Sequence, residues 1–166
     1  MNYSIRNMTK DDWLEVSNIY KEGIDTKTAT FQSEIPTCEQ WDSSHLNICR
    51  FVITAGNKIV GWSALSPTSS RCVYKGVAEV SIYISNSYKG QGLGKILLDK
   101  MIMESEKNNI WSLQSVIIRE NLPSIKLHEK CGFRQIGIRE KVAKMDTLHW
   151  MDVVLMERRS KIIGID

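Results

Sequence analysis

Lys89-Gly90-Gln91-Gly92-Leu93-Gly94-Lys95 lies between a strand-like run, Val80 to Ser85, and a helix-like run, Ile96 to Glu106. Glycines at alternate positions let the backbone turn tightly and keep side chains out of a ligand's path. The helix that follows turns its first unpaired N–H groups, and the positive end of its dipole, toward the loop. This arrangement predicts a cradle for a pyrophosphate, the plain alternative being an ordinary Gly-rich turn. Two common phosphate loops do not fit. A P-loop needs Ser or Thr after Gly-Lys, and a Gly five residues before that Gly; here Ile96 follows Gly94-Lys95, and Lys89 stands in the early Gly's place. A dinucleotide fingerprint needs its third Gly three residues after the second, whereas Gly94 follows Gly92 by two.

Outward from the loop, hydrophobic spacing predicts alternating elements. Toward the N-terminus, Tyr3 to Met8 reads as a strand, followed by a helix with Trp13, Val16, Ile19, Tyr20 and Ile24 on one face. Asp25 to Pro36 is rich in Thr and aperiodic, a loop. Thr37 and Gln40 form a capping box for a short helix over Glu39 to Leu46. Phe51 to Ala55 and Lys58 to Leu65, joined at Gly56-Asn57, read as a hairpin, and Val77 to Ser85 as the strand before the loop. Beyond it, Leu93, Leu97, Leu98, Met101 and Ile102 form one apolar helix face. Leu113 to Ile118 is a strand, Asn121 and Pro123 open a helix that Gly132 ends, and strands follow near Gln135 to Ala143 and Trp150 to Glu157.

The chain has 166 residues, 42% hydrophobic and 25% charged, with a net charge of +3. That suits one domain over residues 1–166 with a substantial core, and the small dispersed charge argues against a nucleic-acid partner. Met1 to Lys10 lacks the apolar stretch of a signal peptide, and no run is long enough to span a bilayer. The expectation is a cytoplasmic protein without a membrane partner. Cys38, Cys49, Cys72 and Cys131 show no metal-ligand spacing and read as reduced, mostly buried thiols. No metal is expected.

The loop resembles the acetyl-CoA loop of the GNAT family of N-acetyltransferases, Gln/Arg-x-x-Gly-x-Gly/Ala, with Lys89 departing from its first position. Asn121 to Phe133 is similar to the family's Asn…Ser/Ala…aromatic-x-x-x-Gly-Phe segment. Thr28-Ala29-Thr30-Phe31, Ser69 to Tyr74, Glu79-Val80-Ser81-Ile82-Tyr83-Ile84 and Trp150 to Met156 resemble the branch that acetylates phosphinothricin and methionine sulfoximine. The resemblance extends over residues 3 to 158. It implies an acyl-CoA N-acyltransferase fold, a mixed α/β arrangement with a mostly antiparallel twisted sheet flanked by helices. It further implies acetyl-CoA as co-substrate, a small-molecule amine as acceptor, a detoxifying role and a homodimer.

Acetyl transfer from a thioester to an amine needs a base for the ammonium proton, a backbone N–H for the oxyanion, and a proton for the leaving thiolate. Glu79 is the candidate base, its pKa raised in a half-buried cleft; the alternative is a solvated strand-end carboxylate. Ser81, on the same strand face, is a candidate for orienting substrate or water, or a satisfied core hydroxyl. The resemblance assigns the oxyanion amide and the pantetheine contact to the backbone of Ile82, Tyr83 and Ile84, and the pyrophosphate to Lys89 through Lys95. It places Asn121 and Ser124 on the pantetheine chain, although Asn121 also reads as a helix cap. His128 stands where many relatives carry Tyr, and is a candidate acid or a structural residue. Phe31 and Arg71, with Cys72 and Val73 beside it, are candidates for the acceptor pocket, Arg71 as a bidentate clamp on a carboxylate or phosphinate or as a solvated loop residue. The alternatives for function are acetylation of a peptide N-terminus and a CoA-binding sensor without turnover.

Overall fold

A computed structural model describes residues 2–145 and 149–165; residues 1, 146–148 and 166 lie outside the described residues. Among the described residues, seven strands and four α-helices follow one another in the expected order: β1 Tyr3–Asn7, α1 Trp13–Asp25, α2 Cys38–Ser44, β2 Phe51–Ala55, β3 Lys58–Pro67, β4 Val77–Ile84, α3 Leu93–Lys107, β5 Ser112–Ile118, α4 Leu122–Lys130, β6 Arg134–Met145 and β7 His149–Arg159. The strands form one sheet in the order β1-β2-β3-β4-β5-β7-β6, antiparallel throughout except where β4 meets β5. This is the mixed α/β, mostly antiparallel architecture expected from the resemblance.

Strand alternation divides the core between the two faces. On one face Val80 and the partly buried Ile82 and Ile84 pack with Leu93, Leu97, Leu98 and Met101 of α3. On the other, Trp62 and the partly buried Tyr83 pack with Val16 and Ile19 of α1 and Trp41 of α2. The aromatic rings interlock: Trp62 stacks on Tyr83 with centroids 4.8 Å apart, and Trp41 meets Trp62 edge-on at 5.7 Å. No helix among the described residues is long and apolar enough to cross a membrane.

The capping box at Thr37 forms in both directions: the Gln40 N–H donates to Thr37 Oγ1 at 3.2 Å and the Thr37 N–H to Gln40 Oε1 at 2.9 Å. Before α1 a single 3-10 turn, Lys10–Asp12, intervenes, with Thr9 as its N-cap. Asp12 accepts from the Thr9 N–H at 2.7 Å and from both terminal nitrogens of Arg6. The Arg6 hydrogen bonds dominate in holding its carboxyl down to about 2. The folded pKa lies below the ordinary value, so Asp12 stabilises the fold fully above about pH 4, and the gain is lost as pH falls toward 2. Asp12→Asn is expected to cost about 1–2 kcal/mol at pH 7, the half-exposed Arg6 screening the pair. The difference in urea midpoint between the two proteins should shrink as pH falls from 4 to 2.

The cysteines are free, and only Cys49 and Cys131 are buried. Burial pushes both thiols up to about 11. Cys38 is half-buried and Cys72 exposed, less burial than the sequence suggested.

Candidate active site

The site begins where two parallel strands part. β4 and β5 pair only at Val77, Ala78 and Glu79, opposite Ser112, Leu113 and Gln114. Beyond Glu79, β4 keeps its ladder to β3 as far as Ile84, while β5 continues against β7 through Ile118. Among the described residues, the β5-facing main-chain edge of Val80 to Ile84 therefore has no strand partner. Between the diverging strands lies a cleft of about 1760 Å³ lined by both, by the Gly-rich loop, by the start of α4 and by the 26–36 loop.

One half of the cleft is built around the Gly-rich loop. Gly90 and Gly92 both have φ +78°, and a Cβ on either would meet nothing within 4 Å. The glycines are thus required by backbone conformation, and the space above them is open. Gly92 caps α3, whose first N–H groups face the same opening. Lys95 pairs with Asp99 at 2.5 Å, one turn along. Asn121 caps α4, its side-chain oxygen accepting from the Ser124 N–H at 3.3 Å; among the described residues its NH2 group makes no hydrogen bond. His128 is 1% exposed, with Nδ1 2.8 Å from the Ser124 carbonyl oxygen. That contact places the proton on Nδ1 and leaves Nε2, buried and unpartnered, with the lone pair. Burial lowers the pKa of the ring, so it is neutral at pH 7.

The other half lies on the α1 and α2 side. Glu79, Ser81 and Tyr83 share one strand face, and Glu79 and Ser81 line the cleft with Phe31, Trp41 and His45. Burial alone raises the pKa of Glu79. His45 stacks on Trp41 at 4.2 Å, its Nδ1 2.7 Å from the Trp41 carbonyl oxygen, so this residue belongs to the cleft wall although nothing in its local sequence signalled it. Arg71, Cys72 and Val73 are placed apart from the others: they occupy an exposed 3-10 region of the β3–β4 loop and do not line the cleft. The Arg71 guanidinium lies 5.7 Å from the centroid of the Tyr74 ring.

Glu22, in the last turn of α1, spans the two halves. Its carboxylate accepts from the Asn86 N–H at 2.5 Å and from the Ser85 hydroxyl at 3.2 Å, fixing the turn between β4 and the Gly-rich loop. Next to it, a Cβ on Gly23 would come 2.7 Å from the Tyr83 ring, so α1 packs directly onto the unpaired end of β4. At the far side of the loop, Tyr3 of β1 donates to Gln91 Oε1 at 2.5 Å. No group of three or more His, Cys, Asp or Glu side chains suited to a metal occurs among the described residues.

Comparison with known proteins follows the same outline. The model of the acetyltransferase (GNAT) family matches residues 10–133. The phosphinothricin N-acetyltransferase of Alcaligenes faecalis is 30% identical over 166 residues, covering 93% of this chain and 81% of the relative. The L-methionine sulfoximine/L-methionine sulfone acetyltransferase of Pseudomonas aeruginosa is 22% identical, covering 95% and 94%. The crystal structure of a GNAT phosphinothricin acetyltransferase from Sinorhizobium meliloti, in complex with AcCoA, superimposes with a TM-score of 0.86 at 24% identity, covering 96% of this chain and 89% of that one.

Proposed function

The chain belongs to the acetyltransferase (GNAT) family, in its phosphinothricin and methionine sulfoximine acetyltransferase-like branch, and from that premise we propose that it moves the acetyl group of acetyl-CoA to the α-amino group of a small amino-acid-like acceptor. Glu79 is the general base. Its carboxylate takes a proton from the acceptor's ammonium group, and the free amine attacks the thioester carbonyl carbon. The resulting oxyanion meets main-chain N–H groups on the unpaired edge of Ile82, Tyr83 and Ile84. The carbon–sulfur bond then breaks, the attacking nitrogen gives up its second N–H proton, and the thiolate takes up a proton in its place. Nε2 of His128 is the ring atom available to relay one, since the Nδ1 proton is held by Ser124. Lys89 to Lys95 hold the pyrophosphate, Asn121 and Ser124 the pantetheine chain, and Phe31 and Ser81 the acceptor. Arg71, Cys72 and Val73 enter this reading only if their loop moves over the cleft mouth.

The observation that carries the reading is the divergence of β4 from β5 at Glu79. It sets an unpaired backbone edge beside a half-buried carboxylate with a raised pKa. The protein is taken to be a homodimer, which exposed Val116, Ile136, Ile138 and Trp150 on β5, β6 and β7 would suit; light scattering checks the mass. The function is tested by following CoA release from acetyl-CoA with purified protein, with and without phosphinothricin or methionine sulfoximine. Acceptor-dependent thiol release is expected. Tight acetyl-CoA binding without release to either acceptor would redirect the reading to peptide amines or to a sensor.

A further inference from the structure

The turn that leads the chain into the Gly-rich loop is held from outside the loop. β4 ends at Ile84, and Asn86–Tyr88 form a single 3-10 turn with Ser85 as its N-cap. Serine is a favoured cap because its hydroxyl accepts from the N–H groups that follow it. The buried Ser85 hydroxyl makes no such bond. It donates instead to one carboxylate oxygen of Glu22 at 3.2 Å, and the Asn86 N–H, the first of the turn, donates to the other at 2.5 Å. A side chain of α1 thus supplies the cap that Ser85 does not. The end of α1 that carries it is itself clamped, by Gly23 against the Tyr83 ring and by the Thr26 hydroxyl, which donates to the Gly23 carbonyl oxygen at 2.6 Å. Glu22 is half-buried and does not line the cleft, so it acts on a ligand there only through the turn.

A carboxylate is an unfavourable neighbour for a loop that holds a pyrophosphate. By charge alone it repels the ligand, and its removal would tighten binding. As a cap it does the opposite, since it fixes Asn86–Tyr88 and with them the start of the loop at Lys89 and Gly90. Resting on the function proposed above, we propose that Glu22 is a positioning residue for the Gly-rich loop, setting its affinity for the pyrophosphate of acetyl-CoA and taking no part in acetyl transfer. The capping outweighs the repulsion. Its two hydrogen bonds are charge-assisted and act at contact, whereas the repulsion acts across the turn and is offset by Lys89 and Lys95, which line the same half of the cleft. Because the two effects have opposite signs, the affinity for acetyl-CoA decides between them.

The test compares acetyl-CoA with acetyl-pantetheine, which carries the same thioester and arm but no pyrophosphate, in the wild type, Glu22→Ala, Glu22→Gln and Asn86→Pro. Asn86→Pro removes the donor from the turn and leaves α1 whole, so it carries the test by itself if Glu22→Ala does not fold. Proline suits the first position of the turn, and Ser85, with φ −53° and ψ 139°, has the extended geometry of a residue before proline. Glu22→Ala and Asn86→Pro are each expected to raise KM and the calorimetric dissociation constant for acetyl-CoA about tenfold, with kcat within about twofold. In both, kcat/KM for acetyl-pantetheine should stay within about twofold of the wild type. The double variant should be no weaker than either single one, since both cut the same bond. Glu22→Gln, which keeps an oxygen for the Asn86 N–H, should recover most of the affinity. Equal losses with both thioesters would overturn the proposal, because general damage to α1 or β4 does not discriminate between them. Unchanged or tighter acetyl-CoA binding in Glu22→Ala would overturn it too, as would a Glu22→Gln protein that binds no better than Glu22→Ala. A wild type that binds no acetyl-CoA would remove the proposed function and this inference together; full affinity in every variant would leave that function intact and remove this inference alone.

Discussion

Glu79→Gln is expected to lower kcat/KM by about 10²- to 10³-fold while leaving the dissociation constant for acetyl-CoA unchanged. The substitution keeps the size of the side chain and its place on β4 but removes the only carboxylate on that strand. A base is active when deprotonated, and burial raises the Glu79 pKa above the ordinary carboxylate value. In the wild type, kcat/KM should therefore climb with pH through that raised pKa and then level off. The Glu79→Gln variant should lack this acidic limb, and its residual rate should follow the fraction of acceptor that is already free amine. Parallel titrations of rate against pH, with acetyl-CoA affinity measured by calorimetry, separate a lost base from a damaged site. An unchanged acidic limb in the variant would assign the proton transfer to another group.

Most of the architecture was legible because it rests on local rules. The capping box at Thr37 and Gln40, the apolar face from Leu93 to Ile102 and the turn at Gly56 each act within a few residues, and each appears where spacing places it. Boundaries shifted where tertiary contacts decided them. β6 extends past its apolar run to Met145 because β7 supplies its hydrogen bonds there, and β7 extends to Arg159 because β5 supplies its own. The site was less legible. Glu79 was readable as a residue of the right kind, but the opening beside it depends on β5 leaving β4 for β7, a choice made some 35–80 residues downstream. Glu22 carries no motif, and its partners lie 63 and 64 residues away. Arg71 shows the converse: its motif marks it as a pocket residue, yet nothing local reveals that its loop turns outward onto Tyr74.

Gly92→Val should raise the dissociation constant for acetyl-CoA about 10- to 100-fold, with kcat at saturating acetyl-CoA much less affected. The residue has φ +78° and ψ 0°, left-handed geometry that costs an L-residue about 1–2 kcal/mol and a β-branched one more. The strain is relieved only if the loop leaves this geometry, and that turns the N–H groups at the start of α3 away from the opening. A charge-assisted hydrogen bond to phosphate contributes about 1.5–3 kcal/mol, so losing one gives about the stated range. Packing does not account for the effect, because a Cβ at position 92 meets nothing within 4 Å. Gly94→Ala is the informative contrast. Gly94 lies within α3 without a positive φ, and its Cβ would come 3.0 Å from a Leu127 methyl, the end of a flexible side chain. That variant should bind acetyl-CoA within a few-fold of the wild type. The melting temperature of Gly92→Val should fall by only a few degrees, as expected for about 1–2 kcal/mol in a chain of this size. A Gly92→Val protein that stays folded and binds acetyl-CoA as tightly as the wild type would remove the pyrophosphate from this loop. Weakened binding in Gly92→Val but not in Gly94→Ala would tie the affinity to the left-handed turn itself, not to the glycine content of the segment.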